Sequence, residues 1–239
     1  MTDLTIEIAD HIATVTLDRP PVNAITTATM IELRDAFNAV SANRDVRVAV
    51  LTSAGTRAFM AGVDLRTVGP RDRSDGVAAE YVTDPARPAR DAMWAITDCA
   101  VPVIGAINGP ALGAGVAFAA CCDVLFAADT ATFGTTEINV GLLGASSHLV
   151  QLVGRYKARE MFLTGEIVSA SELYRLGSVR EVVPAGDLLA AAKAFAATIA
   201  TKSPIAVLAL TVVHAIPAGG GSVALMGIIT IIIAGKYPA

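Results

Sequence analysis

The chain has 239 residues with a formal net charge of −4, which fits one large domain or a domain with a small appendage and excludes a general nucleic-acid binder, since that needs a basic face to neutralise phosphates. At 54% hydrophobic residues and a mean hydropathy of +0.57, it is more apolar than an average globular protein. Surface buried in an oligomer, a large core or a membrane-facing segment would each produce that excess.

The N-terminus, Met1-Thr2-Asp3-Leu4-Thr5-Ile6-Glu7, lacks the basic-then-apolar order of a signal peptide, so a cytoplasmic protein is expected. Ile6–Ile8 and Ile12–Leu17 are short β-type runs parted by a turn near Asp10-His11. The prolines of Arg19-Pro20-Pro21-Val22-Asn23-Ala24 break the pattern by removing donors and forcing extended backbone. Met30, Leu33, Phe37 and Val40 then recur at helical steps, and Val46–Thr52 reads as a buried strand. A Pro/Arg-rich loop from Pro70 to Arg87 precedes a helix around Ala89–Cys99, a strand at Val101–Ile107, an apolar helix at Val116–Cys122 and a strand at Val124–Ala127. Leu149–Val153 and Ala158–Thr164 read as helix, and Ser169 to Glu172 has capping-box spacing. Val179–Val183 is a strand and Leu188–Ala200 an alanine-rich helix. Repeated strand, small-residue turn and helix predict a layered α/β architecture that receives ligands at strand ends.

Two small-residue stretches follow apolar runs: Ala58-Phe59-Met60-Ala61-Gly62-Val63-Asp64-Leu65 and Asn108-Gly109-Pro110-Ala111-Leu112-Gly113-Ala114-Gly115. A backbone N–H can lie bare beside a ligand at such places, and two aimed at one point form an oxyanion hole that polarises a carbonyl. A dinucleotide fingerprint is a weaker account of Gly113-Ala114-Gly115, because Phe118 stands where its third glycine belongs. Cys99, Cys121 and Cys122 have no metal-ligand spacing, and no metal site is expected; they read as small buried hydrophobes in a reducing compartment.

In this order and separation, the two stretches resemble the paired signatures of the crotonase (enoyl-CoA hydratase/isomerase) family, and the likeness extends from about Ile6 to about Pro204. The resemblance implies an α/β fold: a crotonase-like spiral of repeated β-β-α units with a C-terminal, mostly helical appendage. It implies an acyl-CoA thioester substrate, with coenzyme A as part of the substrate and no separate cofactor. The oxyanion donors it assigns are the N–H groups of Val63 and Ala114. Coenzyme A contacts fall to Val22, Ala24, Ala61 and Asp64, with Arg66 as a phosphate partner or a solvated surface residue. Glu137, in Phe133-Gly134-Thr135-Thr136-Glu137, matches one of two family catalytic glutamates and is the expected proton-transfer residue. The second falls at Ala117, a methyl, so hydration of a simple 2-enoyl-CoA is expected to be weak and isomerisation of a 3-enoyl-CoA favoured. A catalytically impaired acyl-CoA-binding or assembly subunit is the alternative.

The chain departs from the family pattern again after Gly141-Leu142-Leu143, where Gly144-Ala145-Ser146-Ser147-His148 replaces a Pro-Gly-x-Gly-Gly turn and offers polar groups to the acyl pocket. The expected division is a core over 1–200 and an atypical apolar segment over 201–239, free of Asp, Glu, Lys and Arg from Ser203 to Gly235. Val223–Ala234 is shorter than the ~20 residues of a membrane span and is expected to pack on the core or a neighbour through a turn at Gly219-Gly220-Gly221. A homotrimer or homohexamer is expected, with no nucleic acid and no membrane partner.

Overall fold

β1 (Leu4–Ala9) and β2 (Ile12–Leu17) form an antiparallel hairpin in the computed structural model, which describes residues 2–67, 84–142 and 144–215. Asp10 and His11 close the hairpin with φ of 50° and 64°, the left-handed pair that matches the twist of the flanking strands. Parallel strands β3 (Val48–Ser53), β4 (Val103–Ile107), β6 (Val124–Ala128) and β9 (Val179–Val183) extend it into a six-stranded sheet of order β1-β2-β3-β4-β6-β9. Every residue of β3 and β4 is buried, which is why these strands read as continuous apolar runs rather than alternating ones.

Helix α1 (Thr27–Ala42) buries Met30, Leu33, Phe37 and Val40, and its start is fixed by reciprocal Thr26–Thr29 capping. It packs on α2 (Arg87–Thr97). A second layer is a small sheet of β5 (Ala111–Leu112), β7 (Thr132–Gly134) and β8 (Ile167–Ser169), in the order β5-β7-β8. Helix α3 (Ala114–Ala120) follows β5 directly. Helix α4 (Ser146–Thr164) leads to α5 (Ala170–Leu176), and α6 (Leu188–Ala200) lies across β3, β4 and β6. Helix α7 (Pro204–Ala215) is the last element described.

The two helices expected at 149–153 and 158–164 are present within α4 and meet at a kink at Gly154, whose φ of 73° and ψ of 166° are not helical. The capping box at Ser169 is half made: its hydroxyl accepts from Glu172 N–H, while the Glu172 carboxylate turns to Arg175. No sequence pattern marks the small sheet, because strands of two and three residues carry no period to read. Most of the expected Pro70–Arg87 loop, Gly219-Gly220-Gly221 and Val223–Ala234 lie outside the described residues. No helix among the described residues is long and apolar enough to cross a membrane.

Candidate active site

The two small-residue stretches lie backbone to backbone. Phe59 and Met60 N–H donate to Pro110 O at 3.1 and 3.2 Å, and Leu112 N–H donates to Met60 O at 2.9 Å. The approach leaves no room for side chains. A Cβ on Gly109 would stand 3.2 Å from Ala58 Cα, and one on Gly115 would run into Met60 O. Gly62, at φ 91°, turns the first stretch toward the second, and a Cβ there would stand 3.9 Å from Ala114 N.

Two amides meet at this junction without a partner among the described residues. Ile25 N–H donates to Gly62 O and Asp64 N–H donates to Ile25 O; since backbone groups alternate sides along an extended strand, Val63 N–H faces away from Ile25. Ala114 opens α3, so its N–H has no acceptor within its own helix. Neither N–H donates a hydrogen bond among the described residues, and both residues line one cavity of about 890 Å³.

Glu137 reaches the same cavity from a 3-10 turn (Thr136–Val140) that follows β7. Its carboxylate lies between two glycines. A Cβ on Gly113 would stand 2.9 Å from Oε1, and one on Gly144 would stand 3.1 Å from Cδ and overlap Oε1. Glu137 Oε2 is buried with no hydrogen-bond partner among the described residues. Burial raises the carboxyl above its ordinary value, opposed only in part by a backbone hydrogen bond. Ala117, on α3 one turn after Ala114, is buried in the cavity wall and places a methyl there.

His148, near the start of α4, also lines the cavity; Ser147 Oγ lies 3.4 Å from its Nδ1. Burial lowers the imidazole, so the ring is neutral at neutral pH. Cys121 in the wall is pushed up to about 11 by burial and remains a thiol, inert as a nucleophile. The side chain of Ser146 lies outside the description. Helix α2 supplies the remaining wall through Ala89, Met93, Trp94 and Thr97, with Arg90 near the Trp94 face (5.8 Å) and bonded to Asp84 at 2.7 Å. Sequence reasoning missed this wall, although positions 86, 89, 90, 93, 94 and 97 fall on one helical stripe.

Of the residues expected at coenzyme A, only Ala61 lines the cavity. Val22 is drawn to it by the bond from Ala61 N–H to Val22 O at 3.2 Å, and Ala24 O accepts from the Arg19 guanidinium. Asp64 is buried and binds Arg66 through Nε at 2.9 Å and Nη2 at 2.8 Å. That pair holds the Asp64 carboxyl well below the usual range. Arg66 is otherwise exposed, with its fork on Asp64 and not in the cavity. Asn23, at φ 53°, ties the turn together by donating to Ala54 O and Ala58 O and accepting from Arg19 N–H. Among the described residues no cluster of His, Cys, Asp and Glu could hold a metal ion.

The family model described as enoyl-CoA hydratase/isomerase matches residues 7–221. The chain belongs to that family. An indene-carboxyl-CoA hydrolase from Rhodococcus jostii is 42% identical over 193 residues, covering 81% of this chain and 72% of the relative. An (E)-benzylidenesuccinyl-CoA hydratase from Thauera aromatica is 37% identical over 211 residues, or 85% of this chain and 78% of that protein. Among solved structures, an enoyl-CoA hydratase from Bacillus anthracis superposes with a TM-score of 0.84 at 30% identity, covering 98% of this chain and 90% of that one. The crotonase fold expected from the sequence is therefore the fold of this enoyl-CoA hydratase/isomerase family member.

Proposed function

We propose that this family member binds an acyl-CoA thioester with its carbonyl oxygen between Val63 N–H and Ala114 N–H, and that Glu137 moves a proton on the enolate so formed. The observation that carries this is the pair of amides without a partner among the described residues, sharing one cavity with a half-buried carboxylate whose Oε2 is buried and unpaired among those residues. Amides already aimed at a developing oxyanion cost no reorganisation at the moment of reaction. Isomerisation of a 3-enoyl-CoA needs no other titratable group: Glu137 takes a proton from C2, the electron pair rests on the thioester oxygen, and the same carboxyl returns the proton at C4. Val22, Ala24 and Ala61 contribute backbone contacts to coenzyme A, while Asp64 and Arg66 act as a mutually neutralising pair that fixes the entrance beside Val63. The names of the Rhodococcus and Thauera proteins, both acting on CoA thioesters, support the substrate class.

The experiment is turnover of a panel of 3-enoyl-CoA and 2-enoyl-CoA thioesters by the wild type and Glu137→Gln. Loss of activity by about 10²–10⁴-fold in the variant is expected; unchanged turnover refutes the assignment. Tight acyl-CoA binding with no turnover by the wild type favours the non-catalytic subunit, the reading that Ala117 supports. We also propose assembly as a trimer or a dimer of trimers. Tyr156 and Leu163 on α4 are 85% and 74% exposed, with Ile138 and Ile167 also exposed, apolar side chains that a partner surface would cover. A monomer mass by light scattering refutes it.

A further inference from the structure

We infer that His148 is a second proton-transfer residue and that, with it, this site adds water to a 2-enoyl-CoA, a reaction that Glu137 alone does not support. The inference rests on the proposed function above and extends it. Adding water across C2=C3 needs a group that takes a proton from water and another that gives one to C2. Ala117 leaves the α3 wall without a carboxylate, so the second group must come from elsewhere in the cavity.

Among the described side chains that line the cavity, the choice is narrow. Arg90 is held by Asp84, Cys121 is a thiol pushed up to about 11, and Thr97, Thr136, Ser147 and Gln151 do not titrate near neutrality. Glu137 and His148 remain. Glu137 lies on the 3-10 turn Thr136–Val140 and His148 in the first turn of α4, which the left-handed backbone of Ala145 (φ 53°) starts. The ring has one long contact, Nδ1 to Ser147 Oγ at 3.4 Å, and Nε2 has no hydrogen bond among the described residues. With Nδ1–H toward Ser147, Nε2 is the free acceptor.

The two environments push in opposite directions. Burial raises the Glu137 carboxyl and lowers the His148 imidazole, opposite displacements that suit the first to give a proton and the second to take one. In the step, a water oxygen bonds to C3 and its proton passes to His148 Nε2. The C2=C3 electron pair moves onto the thioester enolate, held by Val63 and Ala114 N–H. C2 then takes the proton of the Glu137 carboxyl, the C2–H bond forming as the enolate collapses. One water is added, leaving Glu137 ionised and His148 protonated, and proton return through solvent resets both.

The test measures hydration of trans-2-butenoyl-CoA and isomerisation of a 3-enoyl-CoA on the same sample of full-length wild type, His148→Gln and Glu137→Gln. The wild type should hydrate. In His148→Gln, hydration should fall by about 10²-fold or more, and the ratio of hydration to isomerisation by at least ~10-fold. Any loss of folded protein cancels in that ratio. A wild type that isomerises without hydrating, or an unchanged ratio in His148→Gln, overturns the role of His148 and leaves the proposed function standing. Full isomerisation by Glu137→Gln, or a wild type with neither activity, overturns the proposed function itself.

Discussion

Gly144→Ala separates the placement of the Glu137 carboxylate from the stability of the fold. Gly144 has no left-handed φ, so alanine there brings no backbone strain, and the new methyl meets only the end of the Glu137 side chain. Its Cβ would stand 3.1 Å from Glu137 Cδ, whereas carbon atoms rest comfortably at about 3.5–4.0 Å. The carboxyl group must therefore retreat by roughly 0.5–1 Å. A misplacement of about 1 Å costs on the order of 10² in rate, so kcat for 3-enoyl-CoA isomerisation should fall by about 10–100-fold. Rotation of one flexible, half-buried side chain costs about 0.5–1.5 kcal/mol, and for a chain of this length that lowers Tm by only about 1–6 °C. Steady-state kinetics with differential scanning fluorimetry on the same preparation reads both. Full kcat at a near-native Tm would show that the carboxylate held beside Gly144 carries no proton in the reaction.

Gly113→Ala should lose more of both properties, because φ 55° with ψ −116° is backbone that costs a non-glycine residue about 1–3 kcal/mol before the clash with Glu137; kinetics and Tm together check it. Glu137→Gln should raise Tm at neutral pH while removing activity. A carboxyl raised by burial destabilises the fold as pH climbs through its folded pKa, and a neutral amide is spared that cost; a lower Tm for the variant at pH 7 would refute this. For the same reason, isomerisation by the ionised carboxylate should rise with pH along a limb displaced above the ordinary glutamate range, read from kcat against pH. Asp64→Asn should lower Tm at neutral pH by breaking the bond to Arg66. Since the Asp64 pKa is depressed in the fold, its contribution is complete above the unfolded value of about 3.9 and disappears as pH falls toward the folded one, so the two melting curves should converge in acid. Asn23→Ala strands the Ala54 carbonyl, leaves Ala58 O only its 3.4 Å contact from Ser53 Oγ and puts alanine at φ 53°, at a cost of about 3 kcal/mol, measurable by denaturant unfolding.

The sequence determined the strands and helices whose apolar residues have a period. Met30, Leu33, Phe37 and Val40 specify the buried face of α1, and the unbroken apolar runs of β3 and β4 specify strands covered on both faces, because burial follows directly from side-chain chemistry. It also marked the two stretches Ala58–Leu65 and Asn108–Gly115, since their small residues are what a close backbone approach requires. Only the tertiary structure decided that these stretches touch: the bonds from Phe59, Met60 and Leu112 join positions about fifty residues apart, and no local pattern records such a pairing. The same holds for Glu137, whose fit between Gly113 and Gly144 depends on the path of the small sheet, and for Arg66, whose guanidinium is occupied by Asp64. A carboxylate or an imidazole in a sequence is a list of possible proton states. Burial in the cavity pushed Glu137 up and His148 down, and burial is a property of the assembled fold.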